Sequence, residues 1–387
     1  MAEETRLIRA GATPARLAKT VGPPIQKGST VLLPNARALY DDDAFVTYGR
    51  AGLAAHESLK SALAEMEGAA AVELYPSGLA AFTGAMLAVL KAGDEVLVTD
   101  NIYKPSRRFC DQVLARYGVG VRYFDPRTSP EDLLAMATDA TRLIALESPG
   151  SLTFEMQDVA AIARLAKARG ILTLADNTWG AGFLYKPLAH GVDISVQALT
   201  KYVGGHSDVF MGSAAVADKK LAHQLEDGVH NMGWAVSPED AYQMLRGLRT
   251  LPVRLEQQGG AALRIAAWLE QQPEVVEVIH PALPGARDHD LWKRDYKGAC
   301  GLFAFVLQPA PEAAVNAFLD ALKLFGLGFS WGGFESLAIS CDPQLGKRKS
   351  APKFAGPLMR LHIGLEHPDD LMADLRNGFA AFNAALQ

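Results

Sequence analysis

The stretch that decides the fold is Asp193-Ile-Ser-Val-Gln-Ala-Leu-Thr200-Lys201, in which a short apolar strand ends in a threonine and a lysine. Lysine is usually a surface residue, but the carboxyl end of a buried parallel strand is where α/β sheets bind ligands. A second apolar run, Ile171-Leu-Thr-Leu-Ala-Asp176, delivers an aspartate in the same way. Each residue alone is also compatible with a solvated lysine or with an aspartate that caps a turn.

A third signal is Tyr75-Pro-Ser77-Gly78-Leu79, which directly precedes an apolar helical stretch. Serine and glycine at a helix start expose free backbone N–H groups, and the helix dipole favours a phosphate there, although the same pair is also an ordinary N-cap. A phosphate cradle, an aspartate and a lysine at strand ends are together what holds pyridoxal 5′-phosphate (PLP). In that interpretation the helix start binds the phosphate, the aspartate keeps the pyridine nitrogen protonated, and the lysine forms a Schiff base.

The sequence around these motifs predicts an α/β fold. From about residue 68 to 217, β-branched runs alternate with amphipathic stretches, as in βαβ units around a mostly parallel sheet with helices on both faces. Seven strands are predicted, at Ala71–Leu74, Glu95–Thr99, Gly120–Phe124, Arg142–Leu146, Ile171–Ala175, Ile194–Ala198 and Ser213–Ala217. The helices predicted between them include Leu53–Met66, Leu79–Lys91, Pro105–Tyr117, Pro130–Ala137 and Asp158–Ala168.

The remaining sequence predicts two further units. Residues 1–52 are rich in Gly, Pro, Thr and Asp without periodicity and predict an extended N-terminal arm. Residues 53–245 form the predicted cofactor-binding domain, and residues 246–387 a smaller α+β C-terminal domain. Its strands are predicted at Val275–Ile279, Gly301–Val306, Ser336–Ser340 and Leu358–Ile363.

Composition excludes several classes of protein. Apolar residues make up 49% and charged residues 21% of 387, which excludes collagenous, low-complexity and coiled-coil chains. A net charge of −5 without a basic run argues against nucleic acid or membrane partners. The longest charge-free stretch, Leu74 to Leu90, is too short to span a membrane, and the acidic N-terminus does not resemble a secretory signal, so we expect a cytoplasmic protein. The three cysteines and nine histidines show no metal-ligand spacing, so no metal is expected.

The sequence resembles the Cys/Met-metabolism family of fold-type I PLP-dependent enzymes (the aspartate aminotransferase-like fold), and within it the carbon–sulfur β-lyases. The motifs that carry the resemblance occur in family order between residues 47 and 366. They are Thr47-Tyr48-Gly49-Arg50, Tyr75-Pro-Ser-Gly, Asp100-Asn-Ile-Tyr103, Glu147-Ser-Pro-Gly, Ala175-Asp-Asn-Thr-Trp, Leu199-Thr-Lys-Tyr, Gly205-His-Ser-Asp, Ser330-Trp-Gly-Gly-Phe-Glu-Ser and Arg360-Leu-His-Ile-Gly-Leu-Glu.

The resemblance implies roles for the cofactor-binding residues. Lys201 is implied to carry PLP as a Schiff base and to move protons, Asp176 to pair with the pyridine nitrogen, and Tyr103 to stack on the ring and to assist proton transfer. The residues implied to hold the phosphate are Ser77, Gly78, Leu79 and Thr200, with Tyr48 and Arg50 supplied by a neighbouring subunit. One departure is Ala198, since many relatives have a serine there, which removes one hydroxyl from the cradle.

The resemblance also implies a substrate site and a reaction. Arg360 is implied to bind the substrate α-carboxylate, with Ser330, Trp331 and Tyr48 near the substrate. Trp331 favours β-cleavage, with L-cystathionine split to homocysteine, pyruvate and ammonia. A broad cysteine-S-conjugate β-lyase and a γ-lyase or γ-replacement enzyme remain alternatives, as does a PLP-binding regulator from another class. A homotetramer built as a dimer of dimers, with sites shared between subunits, is the implied assembly.

Overall fold

The computed structural model describes residues 1–10, 20–41 and 46–387, and its larger sheet has seven strands in the order β1-β7-β6-β5-β4-β2-β3. The strands are β1 (Ala71–Tyr75), β2 (Glu95–Thr99), β3 (Gly120–Phe124), β4 (Thr141–Glu147), β5 (Leu172–Asp176), β6 (Ile194–Gln197) and β7 (Gly212–Val216). Strands β2 to β6 pair in parallel, and β7 runs antiparallel to β1 and β6. The predicted mostly parallel α/β sheet is confirmed, and each predicted strand end lies within one residue of the observed end.

Helices cover both faces of this sheet, which explains why its strands are almost continuously apolar. One face packs against α2 (Ala54–Glu67), α5 (Pro130–Met136), α6 (Val159–Ala168) and α8 (Pro238–Leu248). The other face packs against α3 (Gly78–Val89), the segment that begins with α4 (Lys104–Phe109), and α7 (Lys219–Met232). Because helices cover both faces of the sheet, a ligand can reach it only at the ends of the strands.

The prediction of a wholly extended N-terminal arm is wrong at its start. Residues Glu3–Arg9 form helix α1, whose Leu7 is buried against the core and whose Arg6 Nε lies 2.8 Å from Glu65 Oε1 on α2. A helix of seven residues is too short to show a hydrophobic period in the sequence. Residues 11–19 and 42–45 of the predicted arm lie outside the described residues.

The C-terminal part forms a five-stranded sheet in the order β10-β11-β12-β9-β8. Its strands are β8 (Val275–Ile279), β9 (Leu302–Leu307), β10 (Gly326–Leu327), β11 (Leu337–Ser340) and β12 (Leu358–His362). Its helices are α9 (Leu251–Leu269), α10 (His289–Asp295), α11 (Glu312–Ala321), α12 (Asp342–Leu345) and α13 (Pro368–Ala385). The two sheets fall within the predicted domains 53–245 and 246–387, whose boundaries stay a prediction. In the described part of the chain, no helix combines the length and apolarity that crossing a membrane requires.

Candidate active site

A cavity of about 420 Å³ lies where the carboxyl ends of the parallel strands meet the C-terminal sheet. It contains nine of the predicted site residues, namely Ser77, Gly78, Leu79, Tyr103, Asp176, Thr200, Lys201, Trp331 and Arg360. Ser330 reaches the same place through Lys201, whose Nζ donates to Ser330 Oγ at 2.9 Å. The fold thus brings together residues that the chain separates by more than two hundred positions.

The start of α3 has the geometry of a phosphate cradle. Ser77 caps the helix, with its Oγ accepting from the N–H of Ala80 at 3.1 Å. The N–H groups of Gly78 and Leu79 are in the first turn and have no intrahelical acceptor, so they are free to bind an anion. A Cβ atom at Gly78 would lie 2.3 Å from the Cβ of Ala198, so only glycine fits there. The small Ala198 side chain therefore lies directly against the cradle.

The hydroxyl of Thr200, near the phosphate cradle, is hydrogen-bonded to the backbone of Met211. Its Oγ1 donates to the carbonyl oxygen of Met211 at 3.1 Å and accepts from the N–H of the same residue at 3.0 Å. These two bonds tie the strand end that carries Lys201 to the chain entering β7. A contact from this hydroxyl to the phosphate stays a prediction, because it requires the proton to turn away from Met211.

Two carboxyl groups lie side by side inside the cavity. Asp176 at the end of β5 is in register with Glu147 at the end of β4. The Oδ1 atom of Asp176 accepts from the N–H and the Oγ1 of Thr178, at 3.0 and 2.6 Å. Burial raises the pKa of Asp176, while the charge of Lys201 opposes that rise. A carboxylate in such a place needs a cationic partner, and a protonated pyridine nitrogen provides one.

Glu147 is the site residue to which sequence reasoning assigned no role. Its Oε2 accepts from the backbone N–H of Tyr103 at 2.6 Å, and its Oε1 accepts from Ser151 Oγ at 2.5 Å. Burial, and then the neighbouring charge of Asp176, raise the pKa of Glu147 to about 8. Its position at a strand end, equivalent to that of Asp176, is the signal that could have identified it. Glu147 fixes the backbone of the residue predicted to stack on the cofactor.

Lys201 has the electrostatic environment of a reactive amine. Burial, followed by the positive charge of Arg360, lowers its pKa to about 8, although Asp176 opposes the shift. At near-neutral pH a substantial fraction of the Lys201 amine is therefore unprotonated. The unprotonated amine is the form that acts as a nucleophile or base.

The loop that carries Trp331 is pressed against Lys201. Gly332 has φ +83°, and a Cβ there would lie 2.8 Å from the carbonyl carbon of Lys201. The N–H of Gly332 donates to Nε2 of His362 at 3.1 Å, which anchors the loop to β12. As a result, the centroid of the Trp331 ring lies 5.4 Å from the Nζ atom of Lys201.

Arg360 is a buried cation to which the described residues offer no anionic partner. It lies on β12 and is 7% exposed, and its Nη2 donates to the carbonyl oxygens of Phe329 and Ser330 at 3.1 Å each. Within residues 1–10, 20–41 and 46–387, no carboxylate forms an ion pair with it. A buried guanidinium with unused donors is suited to bind the carboxylate of a ligand.

The remaining predicted residues differ in how the structure places them. Tyr103 is half exposed at the cavity, and partial burial, Glu147 and Asp176 raise the pKa of its hydroxyl. Tyr48 and Arg50 are exposed and do not line the cavity of their own chain, and Arg50 Nη1 donates to the carbonyl oxygen of His230 at 3.0 Å. Within one chain, these two residues are therefore not part of the site.

Comparison with known proteins gives concordant results. A cystathionine beta-lyase of Salmonella typhimurium is 42% identical over 390 residues, covering 97% of this chain and 98% of that protein. The cystathionine beta-lyase MetC of Escherichia coli is 41% identical over 391 residues, covering 97% and 98%. The crystal structure of cystathionine gamma-lyase from Lactobacillus plantarum complexed with L-serine is similar with a TM-score of 0.91 and 28% identity, covering 99% of this chain and 100% of that chain.

The family model described as "Cys/Met metabolism PLP-dependent enzyme" matches residues 4–380. The fold is that of the fold-type I PLP-dependent enzymes, and the cavity fits PLP at its phosphate cradle and at its paired aspartate and lysine. The chain therefore belongs to the Cys/Met-metabolism family of PLP-dependent enzymes.

Proposed function

We propose that this PLP-dependent enzyme is a carbon–sulfur β-lyase that cleaves L-cystathionine to homocysteine, pyruvate and ammonia. The observation that carries the proposal is the position of Lys201, whose amine lies against Ser330 and Trp331 in the cavity that also holds Arg360. The two relatives at 41% and 42% identity are both named cystathionine beta-lyase, which supports the same reaction.

The chain's own residues would hold the cofactor in a defined orientation. When bound, PLP supplies an electron sink for the negative charge left at the substrate α-carbon. The N–H groups of Gly78 and Leu79 would hold its phosphate, and the carboxylate of Asp176 would face its pyridine nitrogen. Lys201 would carry it covalently, and the ring of Tyr103 would pack on its face.

Substrate binding and proton transfer are then assigned to two basic residues. Arg360 would bind the α-carboxylate through two N–H donors, which fixes the α-carbon near Lys201. The substrate amino group would first take the place of Lys201 on the cofactor, and the freed neutral amine of Lys201 would then remove the α-proton as a general base, oriented by its contact with Ser330 Oγ. The thiolate then leaves with the electron pair of the Cβ–S bond and takes up a proton, for which Lys201 and Tyr103 are the nearest proposed donors. The three-carbon product is hydrolysed to pyruvate and ammonia.

Product analysis tests this function directly. Incubation of the holoenzyme with L-cystathionine should release pyruvate and homocysteine in equal amounts, measured by chromatography. Release of mainly 2-oxobutyrate and cysteine would show γ-cleavage and contradict the proposal. A panel with L-cystine, S-alkyl-cysteines and methionine separates a dedicated enzyme from a broad cysteine-S-conjugate lyase, which would release pyruvate from the alkyl compounds at a comparable kcat/KM.

We further propose that the enzyme is a homotetramer, a dimer of dimers, in which Tyr48 and Arg50 contact the cofactor phosphate of a neighbouring subunit. Large apolar side chains are exposed in the N-terminal segment and at the cavity, namely Val21 (91%), Leu32 (93%), Tyr40 (90%), Phe210 (75%) and Phe329 (77%). Exposed apolar side chains of this size favour a surface that another subunit covers. The exposure of Arg50, away from its own cavity, is consistent with a role in a neighbouring site.

Mixed oligomers test the shared site. Lys201→Ala and Arg50→Ala should each have little activity alone, because each site lacks either the covalent anchor or a charged phosphate contact. After dissociation and joint reassembly, one site of a mixed dimer contains both wild-type residues, so part of the wild-type activity should return. Differently tagged subunits show by affinity capture that mixed dimers have formed. Absence of recovered activity in captured mixed dimers would mean that Arg50 does not act in the neighbouring site.

A further inference from the structure

Several basic side chains in the cavity have no role in the proposed reaction. Among the described residues that line it, two are acidic, Glu147 and Asp176. Six are basic, namely Lys104, Arg107, Lys201, Lys347, Arg348 and Arg360. Lys201 and Arg360 have proposed roles, and backbone N–H groups are proposed to hold the cofactor phosphate, so four basic residues remain without a role.

Two of the remaining four cations are neutralised by the protein. Arg107 forms an ion pair with Asp100, and Arg348 Nη2 lies 2.9 Å from Glu155 Oε1. The other two, Lys104 and Lys347, form neither a hydrogen bond nor an ion pair through their side chains with any residue that the structure describes. Both are exposed and lie on the solvent side of the cavity.

A single buried carboxylate holds the two segments that carry these lysines. Asp100, which is 1% exposed, pairs with Arg107 on α4, the helix that begins at Lys104. Its Oδ2 atom accepts from both the N–H and the Oγ of Ser350, at 2.7 Å each. The chain before Ser350 is closed by a turn in which the N–H of Arg348 donates to the carbonyl oxygen of Leu345 at 2.9 Å. The two segments that carry these lysines are therefore both bonded to Asp100 at the cavity wall.

Resting on the proposed lyase function, we propose that Lys104 and Lys347 form a distal subsite for a carboxylate on the leaving thiol. The preferred substrates are then cysteine thioethers whose leaving group is anionic at its far end. Arg360 binds the α-carboxylate inside the cavity, so the rest of an extended thioether is directed to the solvent side, where the two lysines lie. The homocysteine half of L-cystathionine has such a carboxylate, whereas simple S-alkyl-cysteines do not.

An isosteric substrate pair tests the distal subsite. S-(2-carboxyethyl)-L-cysteine and its amide, S-(2-carbamoylethyl)-L-cysteine, differ in charge but hardly in shape. The holoenzyme should release pyruvate from the acid with a kcat/KM roughly fivefold to tenfold above that for the amide, the scale expected of two solvent-exposed ion pairs. In the variant K104Q/K347Q this ratio should fall to near one. Lys91→Gln, which changes an exposed lysine outside the cavity, should leave the ratio unaltered.

A binding measurement separates this proposal from the lyase function. L-2-aminopimelate and its side-chain amide replace the sulfur by a methylene group and cannot be cleaved, so calorimetry on the holoenzyme reports affinity alone. The acid should bind more tightly than the amide, and K104Q/K347Q should abolish the difference. Equal affinities in the wild-type enzyme, or a preference that survives in the double variant, would overturn the subsite. A preserved binding preference in an enzyme that releases no pyruvate from L-cystathionine would refute the lyase function and leave the subsite standing.

Discussion

Lys201→Ala is expected to lower the turnover of L-cystathionine by about 10³-fold or more while the protein remains folded. The substitution removes both the covalent anchor of the cofactor and the base proposed to take the α-proton. Burial already lowers the pKa of this amine, so the charged side chain does not stabilise the fold, and its loss removes one hydrogen bond to Ser330. Circular dichroism and steady-state kinetics on the same preparation measure both parts of this expectation.

The position of the covalent bond provides an independent check of the same variant. Borohydride reduction of the wild-type holoenzyme, followed by peptide mapping, should place pyridoxyl on Lys201, and the variant should carry none. Lys91→Ala is the matched control, because it changes an exposed lysine outside the cavity and should keep full activity. Pyridoxyl on another lysine, or an activity within tenfold of wild type in Lys201→Ala, would contradict the assignment.

Asp176→Asn should lower kcat/KM by about 10²- to 10³-fold, the cost typical of removing one preorganised electrostatic contact. The amide has nearly the shape of the carboxylate and can still accept from Thr178, but it cannot keep the pyridine nitrogen protonated. Burial raises the pKa of Asp176, which means that the folded protein disfavours the ionised form at neutral pH. The neutral amide removes that cost, so the variant apoenzyme should melt at the wild-type temperature or above it.

The chain contains a matched control for this variant. Asp193 accepts through Oδ2 from the N–H and Oγ1 of Thr173, at 2.8 and 2.9 Å, much as Asp176 accepts from Thr178. Asp193 lies at the amino end of β6, whereas Asp176 lies at the carboxyl end of β5, beside the cavity. The variant Asp193→Asn should therefore keep the wild-type kcat/KM. Wild-type activity in Asp176→Asn, or an equal loss in both variants, would show that the effect is not specific to the cofactor nitrogen.

Prediction from sequence worked best where local patterning was strong. The seven strands of the larger sheet are short, mostly apolar runs rich in β-branched residues, and their predicted ends lie within one residue of the observed ends. Helices α11 and α13 were not predicted, although α13 begins with Pro368 and two acidic residues, which are standard helix-start signals. Short helix α1 also begins with two acidic residues, Glu3 and Glu4, but it has no side-chain N-cap, and its one buried residue, Leu7, packs against the core through tertiary contacts.

Local sequence patterns were enough to identify the main chemical groups of the candidate site. The motifs place a lysine, an aspartate and a helix start at the ends of strands in one sheet. Strands that alternate with helices along the chain form right-handed βαβ units, and these bring the carboxyl ends of the parallel strands to the same side of the sheet. These rules are sufficient to predict the class of cofactor, and the fold brings Lys201, Asp176 and the start of α3 together in one cavity.

Tertiary structure decided what surrounds that inventory. Docking of the C-terminal sheet brings Ser330 to the amine of Lys201, buries Arg360 where no described residue offers it a carboxylate, and places Lys347 in the same cavity as Lys104. Strand register sets Glu147 beside Asp176, which raises the pKa of Glu147. These contacts join residues far apart in the chain, and their distances depend on how separate elements pack. Hydrophobic periodicity and motif spacing describe neighbouring residues in the chain and do not specify how distant elements pack. Which charged side chains of the cavity have partners could therefore be determined only from the fold.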